Sequence, residues 1–400
     1  MSALSLLAKA EGHCARSQWS LAHSCLSRAR RAAADPFLHA EILHKDAEAL
    51  RALGRFEESL ASYRSSHALY RKLRVPSERL STLLGASACL RVLGRYAEAR
   101  RLWSAVSKTS LLTHPGGIAS EVELERALVA RGQGRFSETR QRIDLVLRSL
   151  LHKKTSSGRA TLQHAYWVLG GLERFTGFFP RALQAFAHAV RLARESGDVS
   201  AEAFALCGLA GVERVVGRDR ASLLHYRAAY RTLKKSGDPF GEAYGLCGQA
   251  NAHRTFGNPA QSLPLYRRSA ALYRRLGDES SEAFAHWGAG GSLRRLKRFP
   301  FALASHALAL RLFMKSKDHR GVVMAHLGLA RCAEDQGQTG AALREAARAL
   351  SVARREKLHY EADLARYEKG RILHPLRPPY GILKARGISA AVLNRWQDIP

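Results

Sequence analysis

The chain has 400 residues, 46% of them hydrophobic and 24% charged, a make-up that excludes a low-complexity or collagen-like polymer. Lys and Arg number 64 against 34 Asp and Glu, a formal net charge of +30. That excess points to anionic partners (nucleic acid, acidic protein segments or an anionic membrane surface), with an arginine-biased composition as the plain alternative.

No stretch approaches the ~20 apolar residues of a membrane span. The opening MSALSLLAKAEGHC has a short apolar run broken by Lys9 and Glu11 and does not read as a signal peptide. The six cysteines (Cys14, Cys25, Cys89, Cys207, Cys247, Cys332) contain no CxxC. Reduced, packed thiols in a cytoplasmic protein are the expectation.

In chain order, an irregular first hairpin has Ser17 at its turn and a second helix from about Trp19 to Ala34. Asp35-Pro36 then starts a helix, since proline suits a first helical turn. From there a period emerges: Gly54, Gly94, Gly134, Gly177, Gly217, Gly257, Lys297 and Gly337 are spaced by 40 residues, once by 43. A fixed period in this range signals a solenoid of stacked repeats. Each repeat has a first helix before the marked position and a second after it. Gly-Asp at 197–198, 237–238 and 277–278, with Lys317-Asp318 in the next copy, ends each second helix and caps the helix after it.

Small residues recur seven before the mark (Ala47, Ala127, Ala210, Ala250) and five after it (Ser59, Ala99, Ser222, Ser262), and bulky ones nine after it (Tyr63, Trp103, Phe186, Tyr226, Tyr266). Small against large at fixed register lets helices approach closely. The 43-residue spacing puts extra residues into a polar loop at 152–159, either a hinge between two halves or a bulge in a connector. Residues 358–373 read as a lone capping helix. The Pro-rich tail 375–400 leaves room for a short helix around 389–396, and either is disordered or folds back on the repeats.

The spacing resembles tetratricopeptide (TPR) repeats. Leu206, Leu209 and Ala210 stand at that family's W, L and G places, and Ser222 and Tyr226 at its A and F places; Glu213 replaces the tyrosine and the closing proline is absent. The 40-residue period is similar to the longer repeats of Leu-Gly-Asn adaptors and kinesin light chains. Over residues 1–374 the resemblance implies an all-α, right-handed superhelical solenoid of about nine hairpins with a C-terminal capping helix. It also implies peptide binding in a concave groove lined by the first helices.

One row rises above the packing pattern. Three residues before the mark stand Arg51, Arg91, Arg131, Arg174, Arg214, Arg254 and Arg294. On a helix they share a stripe with the positions ten, seven and three residues further back. There lie Phe204, Tyr244 and Phe284, then Trp167 and Trp287, then Asn251. By the resemblance this stripe faces the groove, and guanidinium groups fork onto carboxylates and phosphates. The competing account is a last-turn arginine favoured by the helix dipole, or paired with a neighbouring carboxylate such as Glu173 or Glu213.

No GxxxxGK[ST], HExxH or GxSxG occurs, and the histidines form no repeated i,i+4 pair, so neither enzyme chemistry, a cofactor nor a metal is expected. The expected function is a non-enzymatic scaffold that binds an extended acidic or phosphorylated protein segment. The alternative is RNA or single-stranded DNA along the same basic groove.

Overall fold

The computed structural model describes residues 2–16, 18–104, 106, 118–150, 156–386, 388–389 and 392. Residues 152–155 of the polar loop read as a hinge or bulge, and most of the helix read around 389–396, lie outside the described residues, while residues 156–159 of that loop are helical instead, the start of a helix running to Thr176. All regular structure among the described residues is helical, packed as consecutive hairpins.

Four hairpins come first: α1 (Ala3–Ala15) with α2 (Trp19–Ala32), α3 (Pro36–Ala52) with α4 (Phe56–Lys72), α5 (Pro76–Val92) with α6 (Tyr96–Ser104), and α7 (Ile118–Gly132) with α8 (Phe136–Leu150). Then come α9 (Ser156–Thr176) with α10 (Phe179–Ser196), α11 (Val199–Val215) with α12 (Asp219–Lys235), and α13 (Pro239–Thr255) with α14 (Pro259–Leu276). The series ends with α15 (Glu279–Arg295) and α16 (Phe299–Lys315), α17 (His319–Asp335) and α18 (Thr339–Arg355), the lone helix α19 (His359–Leu373) and a short α20 (Gly381–Lys384). The chain divides into two compact units, Met1–Ala165 with Leu233–Phe240, and Tyr166–Thr232 with Gly241–Pro400.

The helix ends follow from the residues at them. Every marked residue has a left-handed backbone, from φ 70° at Gly94 to 97° at Gly257, and Lys297 holds the same conformation at φ 57° without glycine's freedom. Among the described residues the second turn is left-handed too, at Arg74, Gly197, Gly237, Gly277, Lys317 and Lys357. Such residues end helices by turning the chain back on the last carbonyls. The aspartates after them cap the next helix: Asp198 accepts from the Ala201 N–H at 2.8 Å, Asp278 from Ser281 at 3.0 Å and Asp318 from Gly321 at 2.9 Å.

Within a hairpin, the small residues five after and seven before the mark meet. Ser59 Oγ donates to the Ala47 carbonyl at 2.7 Å, and Ser222 Oγ to Ala210 at 2.8 Å. Between hairpins, the bulky residue of one second helix seats on a glycine of the next first helix. A methyl group placed on Gly248 would lie 2.1 Å from the Tyr226 ring, and one on Gly288 would lie 2.4 Å from Tyr266. Tyr63 meets Gly85, Phe186 meets Gly208 and His306 meets Gly328 in the same way. These glycines stand nine before the mark, a register whose meaning the sequence does not disclose. They bring helix and ring into direct contact, which is the packing that joins one repeat to the next.

In the second unit successive first helices touch one another, α15 to α17 and α17 to α19, and each second helix packs on the first helices beside it. The result is two layers, first helices in one and second helices in the other. The layer of first helices carries the arginine row.

Candidate functional site

In the first unit, Arg51 ends α3 on the surface and Arg91 and Arg131 are half-buried. Arg91 Nε donates to Glu125 Oε1 at 3.2 Å, and Ser87 Oγ donates to the same oxygen at 2.9 Å. Trp103 Nε1 donates in turn to Ser87 Oγ at 2.9 Å. Arg91 is thus tied into a packed chain of Arg, Glu, Ser and Trp across neighbouring hairpins. His164 lies in reach of Arg91 and Arg131. Burial, and then those two cations, push its imidazole down to about 4, so it is neutral at pH 7.

In the second unit the row is better buried and its members diverge. Arg254 is fully buried; its Nε donates to Tyr266 Oη at 3.1 Å, and its guanidinium stands 4.9 Å over the Trp287 ring. Tyr266 Oη donates onward to Asn251 Oδ1 at 2.7 Å. Arg294, 7% exposed, donates from Nη1 to Asp335 Oδ2 at 2.5 Å. These two hold neighbouring repeats together.

The tryptophans do likewise. Trp287 Nε1 donates to the Met324 carbonyl at 2.8 Å, and Trp167 Nε1 to the Phe204 carbonyl at 3.3 Å, each reaching the next first helix. Phe284 lies edge-on to Phe313 at 4.6 Å, while Phe204 and Tyr244 are half-buried.

Arg174 and Arg214 differ from these. Arg174 leans over the Phe175 ring at 5.1 Å, and its Nη1 comes so near Gly211 that a Cβ there would be 3.0 Å away. A glycine at that place leaves the guanidinium room against the next helix. Arg214 Nε and Nη1 are buried and have no hydrogen-bond partner, and no carboxylate lies within ion-pair distance of this residue among the described residues. Desolvation drives its pKa down, and Arg254 and Arg174 lower it further, while Tyr226 and Tyr266 oppose them. Glu213, one of the carboxylates expected to neutralise the row, instead pairs with His225 Nδ1 at 2.8 Å.

Arg174, Arg214 and Arg254 therefore form a cationic cluster whose middle member is desolvated and unsatisfied. Buried donors left unmet cost about 1–3 kcal/mol each. The row is legible in the sequence, but there Tyr226 and Tyr266 read as packing residues only. Their hydroxyls are the polar atoms beside the cluster, and tyrosine rather than phenylalanine at that register is the available signal.

At the edge of this unit the C-terminal residues meet the turn between α9 and α10. Tyr360 packs edge-on to Phe179 at 5.6 Å, and Arg320 stands 4.1 Å over Phe175 while donating to Glu361 at 2.5 Å. Arg386 reaches the same turn. Among the described residues no group of three or more His, Cys, Asp or Glu is placed to hold a metal, and no helix is long and apolar enough to cross a membrane.

The architecture is that of a TPR-like helical repeat protein. No protein-family model matches the chain, and neither does any curated protein. Several solved structures match it by fold. A Rap protein complexed with competence and sporulation factor aligns over 80% of this chain and 88% of its own, with 14% identity and a TM-score of 0.61. NprR in complex with its cognate peptide NprX aligns over 75% and 87%, with 11% identity and a TM-score of 0.57. Aspartyl phosphate phosphatase F from Bacillus subtilis aligns over 90% and 94%, with 10% identity and a TM-score of 0.51.

Proposed function

We propose that this chain is a non-enzymatic binding module that takes an acidic or phosphorylated protein segment on its layer of first helices, anchored at Arg174, Arg214 and Arg254. The observation that carries this reading is Arg214, a guanidinium with buried, unpartnered nitrogens between two other arginines. A carboxylate or phosphoryl oxygen would meet those donors and offset the mutual repulsion. Two fold relatives whose solved forms contain a bound factor or peptide are consistent with a segment as ligand.

Asn251, on the same stripe, is not part of this anchor, because its amide oxygen is engaged by Tyr266 at 2.7 Å. A cytoplasmic setting fits the buried free cysteines Cys89, Cys207, Cys247 and Cys332.

The test is anisotropy with a labelled peptide of consecutive glutamates and a phosphoserine version of it. R174A and R214A should each weaken binding at least about tenfold, a loss of ~1.4 kcal/mol. R214A should leave the melting temperature unchanged or raised, since it removes an unmet charge. Unchanged binding with a melting temperature several degrees lower would make the cluster a packing feature.

A further inference from the structure

The net charge of +30 is not spread evenly over the two layers. In the second unit the first helices carry 10 Lys or Arg against 11 Asp or Glu. The second helices, α10, α12 to residue 232, α14, α16 and α18, carry 16 against 3. An arginine-biased composition would load both layers alike. The helix dipole accounts for cations in a last turn, such as Arg274 and Arg275, but not for Arg227, Arg231, Arg267 or Arg268 further back in α12 and α14.

Seven of the 16 cations, Arg191, Arg194, Arg268, Arg274, Lys315, Arg348 and Arg355, have a carboxylate within ion-pair distance. The cation of each pair is exposed to solvent, so these pairs contribute little. Arg227, Arg231, Arg267 and Arg275 are exposed and meet no carboxylate among the described residues.

We infer that α10, α12 and α14 present a docking surface for double-helical nucleic acid, bound through its phosphates without reading sequence. Of the 16 cations in this layer 15 are arginine, whose fork matches phosphate oxygens. Arg227 and Arg231 stand four residues apart on one helix, about 6 Å along its axis, a spacing that suits successive phosphates of a backbone.

Of the aromatic rings on these helices, Tyr226, Tyr266 and Tyr273 are buried, and Tyr230 is half-buried with its hydroxyl accepting from Arg268 at 3.3 Å. No Phe, Tyr or Trp ring of α10, α12 or α14 stands fully exposed to stack on unpaired bases, which favours a duplex over a single strand. On α12 and α14 one large apolar side chain, Leu224, is strongly exposed, too little to insert into a lipid surface. The surface is separate from the Arg214 cluster and does not depend on its function.

The experiment is anisotropy of a labelled 20-base-pair duplex with the full chain between 50 and 200 mM salt. Log affinity should fall linearly with log salt, with a slope of about −0.9 per phosphate contacted. The variant R227E/R231E/R267E/R275E, checked by circular dichroism for native helicity, should bind at least about tenfold more weakly with a shallower slope. R214A should bind the duplex as the wild type does, and peptide binding by the fourfold variant reports separately on the first-helix site.

Wild-type affinity in the fourfold variant, loss of duplex binding in R214A, or binding to vesicles containing phosphatidylserine in preference to the duplex would each overturn the inference. If the fourfold variant does not fold, the single reversals R227E and R267E, each costing about one contact in the salt slope, decide instead.

Discussion

The Arg386 guanidinium donates from Nη1 to the Thr176 carbonyl at 2.8 Å, joining residues 210 positions apart. The same side chain donates to Asp363 Oδ2 at 3.1 Å from Nε and 2.6 Å from Nη2, and lies 5.7 Å from the Phe178 ring. The segment after α19 therefore ties the capping helix to the turn that opens the second unit's series of hairpins. R386A should expose the Thr176 carbonyl and leave Asp363 to Arg366 alone. The expected loss is about 1–3 kcal/mol, felt locally. Hydrogen exchange should speed up at residues 176–179 and 381–386 more than in α15 or α17; uniform acceleration would show that the contact is not a local tie.

The seating of rings on glycines is testable at Gly248. Adding a methyl group puts it against the Tyr226 ring with no room, and overpacking of this kind costs about 1–3 kcal/mol. G248A should lower the urea midpoint, and Y226L in the same chain should recover part of the loss by vacating the space. A G248A midpoint equal to the wild type's would mean that the repeats adjust freely.

Lys297 occupies a left-handed turn that seven other repeats fill with glycine, at φ 57°. A non-glycine residue there costs about 1–2 kcal/mol. K297G should raise the melting temperature, whereas G217A, the reverse change at the equivalent place, should lower it. Thermal scans of the two variants under one buffer check the opposite signs.

Asp278 caps α15 through the Ser281 N–H, yet burial, with Asp318 and Glu282 nearby, raises its pKa to about 6 from 3.8. The folded state holds this proton more tightly than the unfolded chain does. Its contribution therefore favours folding most below the unfolded value and is lost as pH rises from about 4 to about 6, by up to about 3 kcal/mol. D278N keeps a capping oxygen and cannot ionise. Relative to the wild type it should gain stability across that window and hold the gain at pH 7; a difference independent of pH would place the ionisation elsewhere.

Much of the fold is visible in the spacing alone. The marked residues all take the left-handed turn conformation, and Ser222 and Ala210 meet as small residues at fixed register should. The glycines at 208, 248, 288 and 328 are equally periodic, but their meaning depends on which ring reaches them from the preceding hairpin.

The arginine row shows the limit of periodic reading. Three members are drawn to what the next repeat offers: Arg91 to Glu125, Arg254 to Trp287, Arg294 to Asp335. Those partners stand at different registers, so identical spacing conceals different roles. Arg214 stands out through its lack of a partner, which no count of residues along the chain could have revealed.

The seating of Tyr226 on Gly248 and of Tyr266 on Gly288 makes this chain's length a quantised property. Excision of residues 241–280 carries the Gly288 seat to the place vacated by Gly248, so Tyr226 finds an equivalent landing. Excision of 39 residues rotates that helix by one position, about 100°, and sets the ring against a side chain instead. Change by whole repeats preserves every joint, and a change by another number inside a helix breaks one, whereas the single 43-residue spacing assigns its three extra residues to a connector.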